Sequence, residues 1–185
     1  MTAVRYIGSA SDEPGAGPRF VILLTTLMAG AIGAYYMNFY WSYPPLPTIA
    51  LHMDPAHRQV LSWAPRWAPV SVMTLLAMAM WRLFAARARG ISMKGAVLAF
   101  FVLFALRHGV EFICLEYSAA LHYPEPLPLW HLVAMFPLQV LGALYTAGFW
   151  LVFTFPFEWI AMLVLACAAG MPTAFIGRYL WLRFG

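Results

Sequence analysis

Charged side chains are scarce in this sequence: Asp, Glu, Lys and Arg together make up 10% of its 185 residues. A soluble domain carries about a quarter, so a chain this poor in charge could not cover its surface in water. Cysteine is scarce as well. The two cysteines, Cys114 and Cys167, lie inside hydrophobic stretches and form no Cys-x-x-Cys pair, which argues against a disulfide framework or a thiolate metal site.

Acidic residues are fewer than basic ones, 7 against 11, yet this excess of positive charge does not indicate a nucleic-acid partner. The arginines form no stripe with interleaved aromatic residues, and most of them stand at the ends of hydrophobic stretches, as in membrane proteins. The sequence also lacks a glycine-rich phosphate loop and a Gly-x-Ser-x-Gly nucleophile motif. We therefore expect the chain to contact a lipid bilayer and no nucleic acid.

Apolar residues, in contrast, make up 63% of the chain. A helix needs about 20 of them to cross a membrane, and the alternating segments of a transmembrane β-barrel are absent. The sequence therefore predicts an all-α, polytopic transmembrane helix bundle with about five spans in a single domain. A flexible N-terminal tail is predicted over residues 1–18, and the spans over residues 19–41, 67–84, 95–117, 129–153 and 159–176.

The basic residues between the spans predict how the chain is oriented. The densest group, Arg82, Arg87, Arg89 and Lys94, follows the second span, and the positive-inside rule places it in the cytoplasm. Five alternating spans then give a cytoplasmic N-terminus and an outer C-terminus in the inner (cytoplasmic) membrane. The segment Phe155–Glu158 is predicted as the turn between the fourth and fifth spans.

With this orientation, polar residues gather at the outer face. All five histidines lie on or near it. The outer face collects His52, Asp54, His57, Glu116, His122, Glu125 and His131, and the third span adds Arg107, His108 and Glu111 from within the membrane. An ionisable residue at membrane depth costs about 2.5–3.5 kcal/mol, so the three residues of the third span are expected to face the protein interior, paired or bound to a ligand.

Two interpretations of this group stay open. In the first, Arg107 and Glu111 form a buried ion pair, and His108 makes a hydrogen bond to a neighbouring helix. In the second, His108 and Glu111 are catalytic, as metal ligands or as a proton relay. Imidazole together with carboxylate suits copper, zinc or iron. The candidate ligands are His108, Glu111, Glu116, His122 and His131; the loop residues His52, Asp54 and His57 form another candidate site or a solvated loop.

Two stretches resemble the membrane subunits of the copper-dependent particulate methane and ammonia monooxygenases. The segment Ala88-Arg89-Gly90-Ile91-Ser92, the span with His108 and the segment Leu121-His122-Tyr123 are similar to the metal-bearing helix and loop of the C subunit. The aromatic end of the first span and the segment Phe175-Ile176-Gly177-Arg178 are similar to the A subunit. The resemblance implies copper bound by His108 and His122, with Phe104 at the position where the family has asparagine.

Three functional hypotheses result. The chain could be a subunit of a copper-dependent membrane monooxygenase or oxidase, with a His/Glu site at the outer face and a small apolar substrate from the lipid. It could instead be a non-catalytic structural or assembly subunit of a respiratory or photosynthetic complex. The third hypothesis is a small-molecule-binding or isomerase-type protein that uses the His/Glu cluster for proton transfer. We expect its protein partners to be other membrane subunits or further copies of the chain.

Overall fold

The computed structural model describes residues 16–42, 67–87, 90–122, 128–153 and 156–184. These ranges are almost entirely helical, with one short hairpin. The elements, in chain order, are α1 (Ala16–Ser42), α2 (Trp67–Met80), a π-helical turn (Trp81–Ala85), β1 (Ala86–Arg87), β2 (Gly90–Ile91), α3 (Met93–His122), α4 (Leu129–Phe153) and α5 (Phe157–Phe184).

Five helical segments in the described ranges are long and apolar enough to cross a membrane, which confirms the prediction of an all-α, multi-pass membrane protein. Their bounds are Gly17–Phe39, Trp67–Ala85, Met93–Cys114, Trp130–Phe153 and Phe157–Phe184. The largest difference from the predicted spans is at α5, which continues to Phe184, whereas its span was predicted to end at residue 176. Arg178 ends the purely apolar stretch but does not end the helix. Residues 1–15, most of the predicted tail, lie outside the described ranges.

Local sequence signals explain where α3 begins. The hairpin of β1 and β2 is closed by Gly90, whose φ of +129° is a conformation that other residues rarely adopt. Ser92 then caps α3: the backbone N–H of Gly95 donates a hydrogen bond to Ser92 Oγ (3.1 Å). The short hairpin thereby reverses the chain between α2 and α3.

The helices α1, α2, α3 and α5 form a four-helix bundle in which each helix packs against the next and α5 returns to α1. Neighbouring helices are antiparallel. Between α1 and α2, the indole N–H of Trp81 donates to Thr25 Oγ1 (3.2 Å), while Gly33 lies against Met73 and Ala77. The bundle buries large apolar side chains, among them Val21, Met73, Trp81, Phe100, Leu103, Phe104 and Met162.

Helix α5 runs antiparallel to α3, along its N-terminal half. Gly170 packs against the backbone of Ala96, and a Cβ atom at position 170 would lie 2.9 Å from three backbone atoms of α3. Nearer the start of α5, the rings of Trp159 and Phe101 are 5.7 Å apart. Small residues at the crossing therefore allow the two backbones to approach closely, as is common between membrane helices.

Helix α4 packs mainly against α3, and it also runs antiparallel to it. Gly109 lies against Ala143, and the Tyr117 hydroxyl donates to the carbonyl of Leu132 (3.0 Å). All these contacts fall on the C-terminal half of α3. Helices α4 and α5 therefore run in the same direction, one after the other along α3, instead of forming a hairpin.

The charges of the described residues are separated along the bundle axis. We call the end with the hairpin the basic end: six of the described basic side chains are found there, all exposed, namely Arg19, Arg82, Arg87, Lys94, Arg178 and Arg183. We call the opposite end, which holds Arg107, Glu111 and Glu158, the network end, and Glu116 lies beyond it. At 1.5 Å per residue, the stretch of α5 from Glu158 to Arg178 is about 30 Å long, the thickness of a bilayer core.

Candidate functional site

The first turn of α5 places a carboxylate against the middle of α3. Glu158 is the acidic residue of this turn, a position that the positive end of the helix dipole favours. Its Oε1 forms an ion pair with the Arg107 guanidinium and lies 2.8 Å from His108 Nε2. The three side chains are 6–12% exposed, so these charges are largely removed from solvent.

Hydrogen-bond chemistry constrains the protons of this cluster. An ionised carboxylate can only accept, so His108 donates its Nε2–H to Glu158. The Arg107 guanidinium donates to the same oxygen, and its Nη2 lies 3.2 Å from His108 Nε2. Two donors on consecutive residues of α3 therefore converge on one oxygen atom from α5.

Glu111 lies on the other side of the imidazole. Its Oε2 is 3.7 Å from His108 Nδ1, and the two residues are three positions apart on α3, about one helical turn. This distance is longer than a direct hydrogen bond. The imidazole thus stands between two carboxylates. With a proton on each nitrogen of the imidazole, the two positive charges of Arg107 and His108 would balance the two carboxylates of Glu111 and Glu158.

Two aromatic residues extend the cluster to the remaining helices. Arg107 Nη1 donates to the Tyr36 hydroxyl of α1 (2.9 Å), and the Trp150 ring of α4 stacks on His108 with 5.6 Å between centroids. We use the term network for Tyr36, Arg107, His108, Glu111, Trp150 and Glu158. The network connects α1, α3, α4 and α5 at one level of the fold.

The structure brings together only some of the residues predicted from the sequence. His108 and Glu111 are neighbours, as predicted, and His108 does bond to a neighbouring helix. Within the described ranges, Glu116 is exposed and His131 packs edge-on against Trp130, so neither contacts His108. His122 is the last residue of α3, and its side chain lies outside the described set, as do His52, Asp54, His57 and Glu125.

Sequence reasoning missed Glu158, Tyr36 and Trp150. Glu158 falls in the segment predicted as a turn, and Tyr36 belongs to the aromatic end of the first predicted span, which is typical of a membrane interface. One signal for Glu158 was available: an acidic residue two positions after a proline, here Pro156, is typical of a helix N-terminus. The residues Tyr36 and Trp150 carried no sequence signal that distinguishes them from the other aromatic residues of the chain.

The donor set of the described residues does not fit a copper ion well. No group of three or more His, Cys, Asp or Glu side chains in these ranges is arranged to hold a metal. The cause is visible at Glu158, whose oxygen is already shared by the Arg107 guanidinium and His108 Nε2. A fixed positive charge at this point repels a second cation. A copper site at His108 would need further ligands from outside the described residues.

Removing either partner of the buried ion pair should destabilise the fold. We expect Arg107→Met and Glu158→Gln each to lower the free energy of unfolding by about 3–5 kcal/mol, because each leaves an uncompensated buried charge. The double variant should lose much less free energy of unfolding than the two single variants lose together, because neither buried charge then remains. Thermal unfolding in detergent measures all three variants.

The matched control is Arg183→Met, which removes an exposed arginine of α5 and should leave stability nearly unchanged. If the effects of the two network substitutions simply add, Arg107 and Glu158 do not interact in the folded protein.

No protein-family model, no curated protein and no solved structure matches this chain. The resemblance to the monooxygenase subunits therefore stays a prediction, and the functional proposal depends on the geometry alone.

Proposed function

We propose that this chain is a non-catalytic structural or assembly subunit of a larger membrane complex. The observation that carries the proposal is α4, a strongly apolar helix in which only 17% of an 18-residue apolar window is buried. A second observation supports it: the ionisable residues of the network bond to one another across helices. Groups engaged in this way stabilise a helix arrangement and leave few free ligands or bases for chemistry.

The orientation that we propose has the basic end in the cytoplasm. It is supported by the six exposed basic side chains at that end, which the positive-inside rule assigns to the cytoplasmic face. Helices α1, α2, α3 and α5 then cross the membrane in alternating directions. The start of α1 at Ala16 and the end of α5 at Phe184 both lie on the cytoplasmic side. This differs from the outer C-terminus expected from five alternating spans, because α4 and α5 run in the same direction.

In this orientation α4 lies on the outer side of the bundle. Leu132, near its start, meets Tyr117, and Trp150, near its end, meets His108, so both of these contacts are at or beyond the network end. The bundle between the basic end and the network end already accounts for about 30 Å of hydrocarbon. The acyl chains of the bilayer therefore do not cover the exposed apolar side chains of α4.

The exposed side of α4 fits the apolar helices of another membrane subunit. Its exposed large side chains are Trp130, Val133, Met135, Phe136, Leu138, Leu141, Leu144, Tyr145, Phe149, Val152 and Phe153. Apolar patches of this extent mark interaction sites on proteins. A structural role explains two features together. The exposed side of α4 would contact the partner, and the network would hold α4 in position through Trp150.

The monooxygenase hypothesis is the second candidate, and the sequence resemblance supports it. In that case copper would need His122, the loop residues His52, Asp54 and His57, or ligands from a partner subunit to complete the site. The proton-transfer hypothesis has one supporting feature, the imidazole of His108 between the carboxylates of Glu111 and Glu158.

The proposed orientation predicts where a reporter at the C-terminus resides. We expect a fusion of alkaline phosphatase after Gly185 to be inactive in a bacterial inner membrane and a fusion of green fluorescent protein to fluoresce, because both reporters would be cytoplasmic. Active phosphatase with a dark fluorescent protein would contradict the orientation. A fusion placed directly after Tyr117, a residue beyond the network end, serves as the outside control.

The proposed interface on α4 predicts a selective loss of assembly. We expect Leu141→Ser with Leu144→Ser to reduce co-purification of larger membrane subunits in a mild detergent, because these side chains are 62% and 53% exposed. The thermal stability of the isolated chain should change little. The matched control is Leu163→Ser with Val164→Ser on α5, at 50% and 61% exposure, which should retain the partners.

The assembly role would be contradicted if the α4 and α5 variants co-purified with partner subunits to the same extent. It would also be contradicted if the chain purified from its native membrane as a monomer without partners. Stoichiometric copper that is lost in His108→Gln would instead support the monooxygenase hypothesis.

A further inference from the structure

A groove opens at the basic end, between the hairpin and the last turns of α5. It has a volume of about 410 Å³, and its lining includes Arg87, Gly90, Ser92, Arg178 and Trp181. Two guanidinium groups, one hydroxyl and one indole therefore surround one concave surface. The groove is separate from the network, which lies at the other end of the bundle.

One of these guanidinium groups is held in place by the backbone. The Nε–H of Arg178 donates to the carbonyl of Ile91 in β2 (2.8 Å), so the side chain lies against the hairpin. The positive φ of Gly90 sets the course of β2 at this point. The terminal nitrogens of Arg178 remain as donors for a ligand, with no carboxylate partner among the described residues.

The charge around the groove favours an anion. The carboxylates that the structure describes, Glu111, Glu116 and Glu158, all belong to the network end or lie beyond it. In contrast, Arg19, Arg82, Lys94 and Arg183 add positive charge at the end of the bundle where the groove opens. An arginine guanidinium group binds phosphate oxygens through two parallel N–H donors. A phosphate group is therefore the ligand that this lining matches.

The position of the groove indicates that the phosphate belongs to a lipid. Trp181 is an aromatic residue of the kind found at headgroup level, and Leu182 and Phe175 expose apolar surface on α5 for an acyl chain. Basic pockets between helices at the membrane surface bind the headgroups of anionic lipids. A soluble phosphate would use the two arginines but not this apolar surface.

We propose that the groove between the hairpin and α5 binds the phosphate of an anionic phospholipid headgroup through Arg87 and Arg178. The site would attach the basic end to its leaflet and would stabilise the contact of α5 with the hairpin. It depends on the local geometry of the groove and holds for either orientation of the chain, so it can fail or succeed independently of the assembly role.

Titration of purified protein in an uncharged detergent with phosphatidylglycerol tests the proposal, with the midpoint of thermal unfolding as the readout. We expect phosphatidylglycerol to raise the midpoint and phosphatidylcholine to raise it much less. Arg87→Gln should weaken the apparent affinity by about tenfold, the effect of one lost charge-assisted hydrogen bond, and Arg178→Gln should do the same.

The control is Arg183→Gln, which removes an exposed charge from the same end and the same helix but lies outside the lining of the groove; it should retain the affinity. Equal weakening by Arg183→Gln would show attraction by surface charge alone and would overturn the site. Equal stabilisation by inorganic phosphate would overturn the lipid as its ligand. If Arg178→Gln does not fold, Arg87→Gln, an exposed residue of β1, decides the outcome.

Discussion

The fold depends on the pairing of charges at a place where water cannot solvate them. Arg107 and His108 leave α3 side by side, and Glu158 from the first turn of α5 accepts hydrogen bonds from both. An isolated charge at this depth costs several kcal/mol, so α5 has to begin at the level of Arg107. This requirement sets the direction and register of α5, and it brings the end of α5 back to the start of α1.

Helix α3 is the element that makes this arrangement possible. With 30 residues it is longer than the roughly 20 that a bilayer requires. Its N-terminal half belongs to the four-helix bundle, and its C-terminal half supports α4. Gly109 and Ala96 are the points of close approach, one for α4 and one for α5. The same helix therefore belongs to the bundle core and also supplies the surface against which α4 packs.

The sequence predicted the helices well because each apolar stretch has to be long enough to cross a lipid bilayer, and this requirement acts on every span separately. It also identified Arg107, His108 and Glu111, since ionisable residues inside an apolar stretch stand out. It did not identify Glu158, because alternating spans place residues 155–158 at the membrane face opposite to the histidines. The direction of a helix relative to its neighbours depends on contacts such as that of Gly170 with Ala96, which no local pattern reveals.

The central claim is that α5 begins at the network and runs antiparallel to α3, directly after α4. Photo-crosslinking from Phe101→benzoylphenylalanine tests it most directly, since Phe101 lies against Trp159 with 5.7 Å between the ring centroids. Peptide mapping by mass spectrometry should place the crosslinks in the first turns of α5, at Trp159, Ile160 or Leu163. Crosslinks near the C-terminal end of α5, at residues 176–184, would contradict the account.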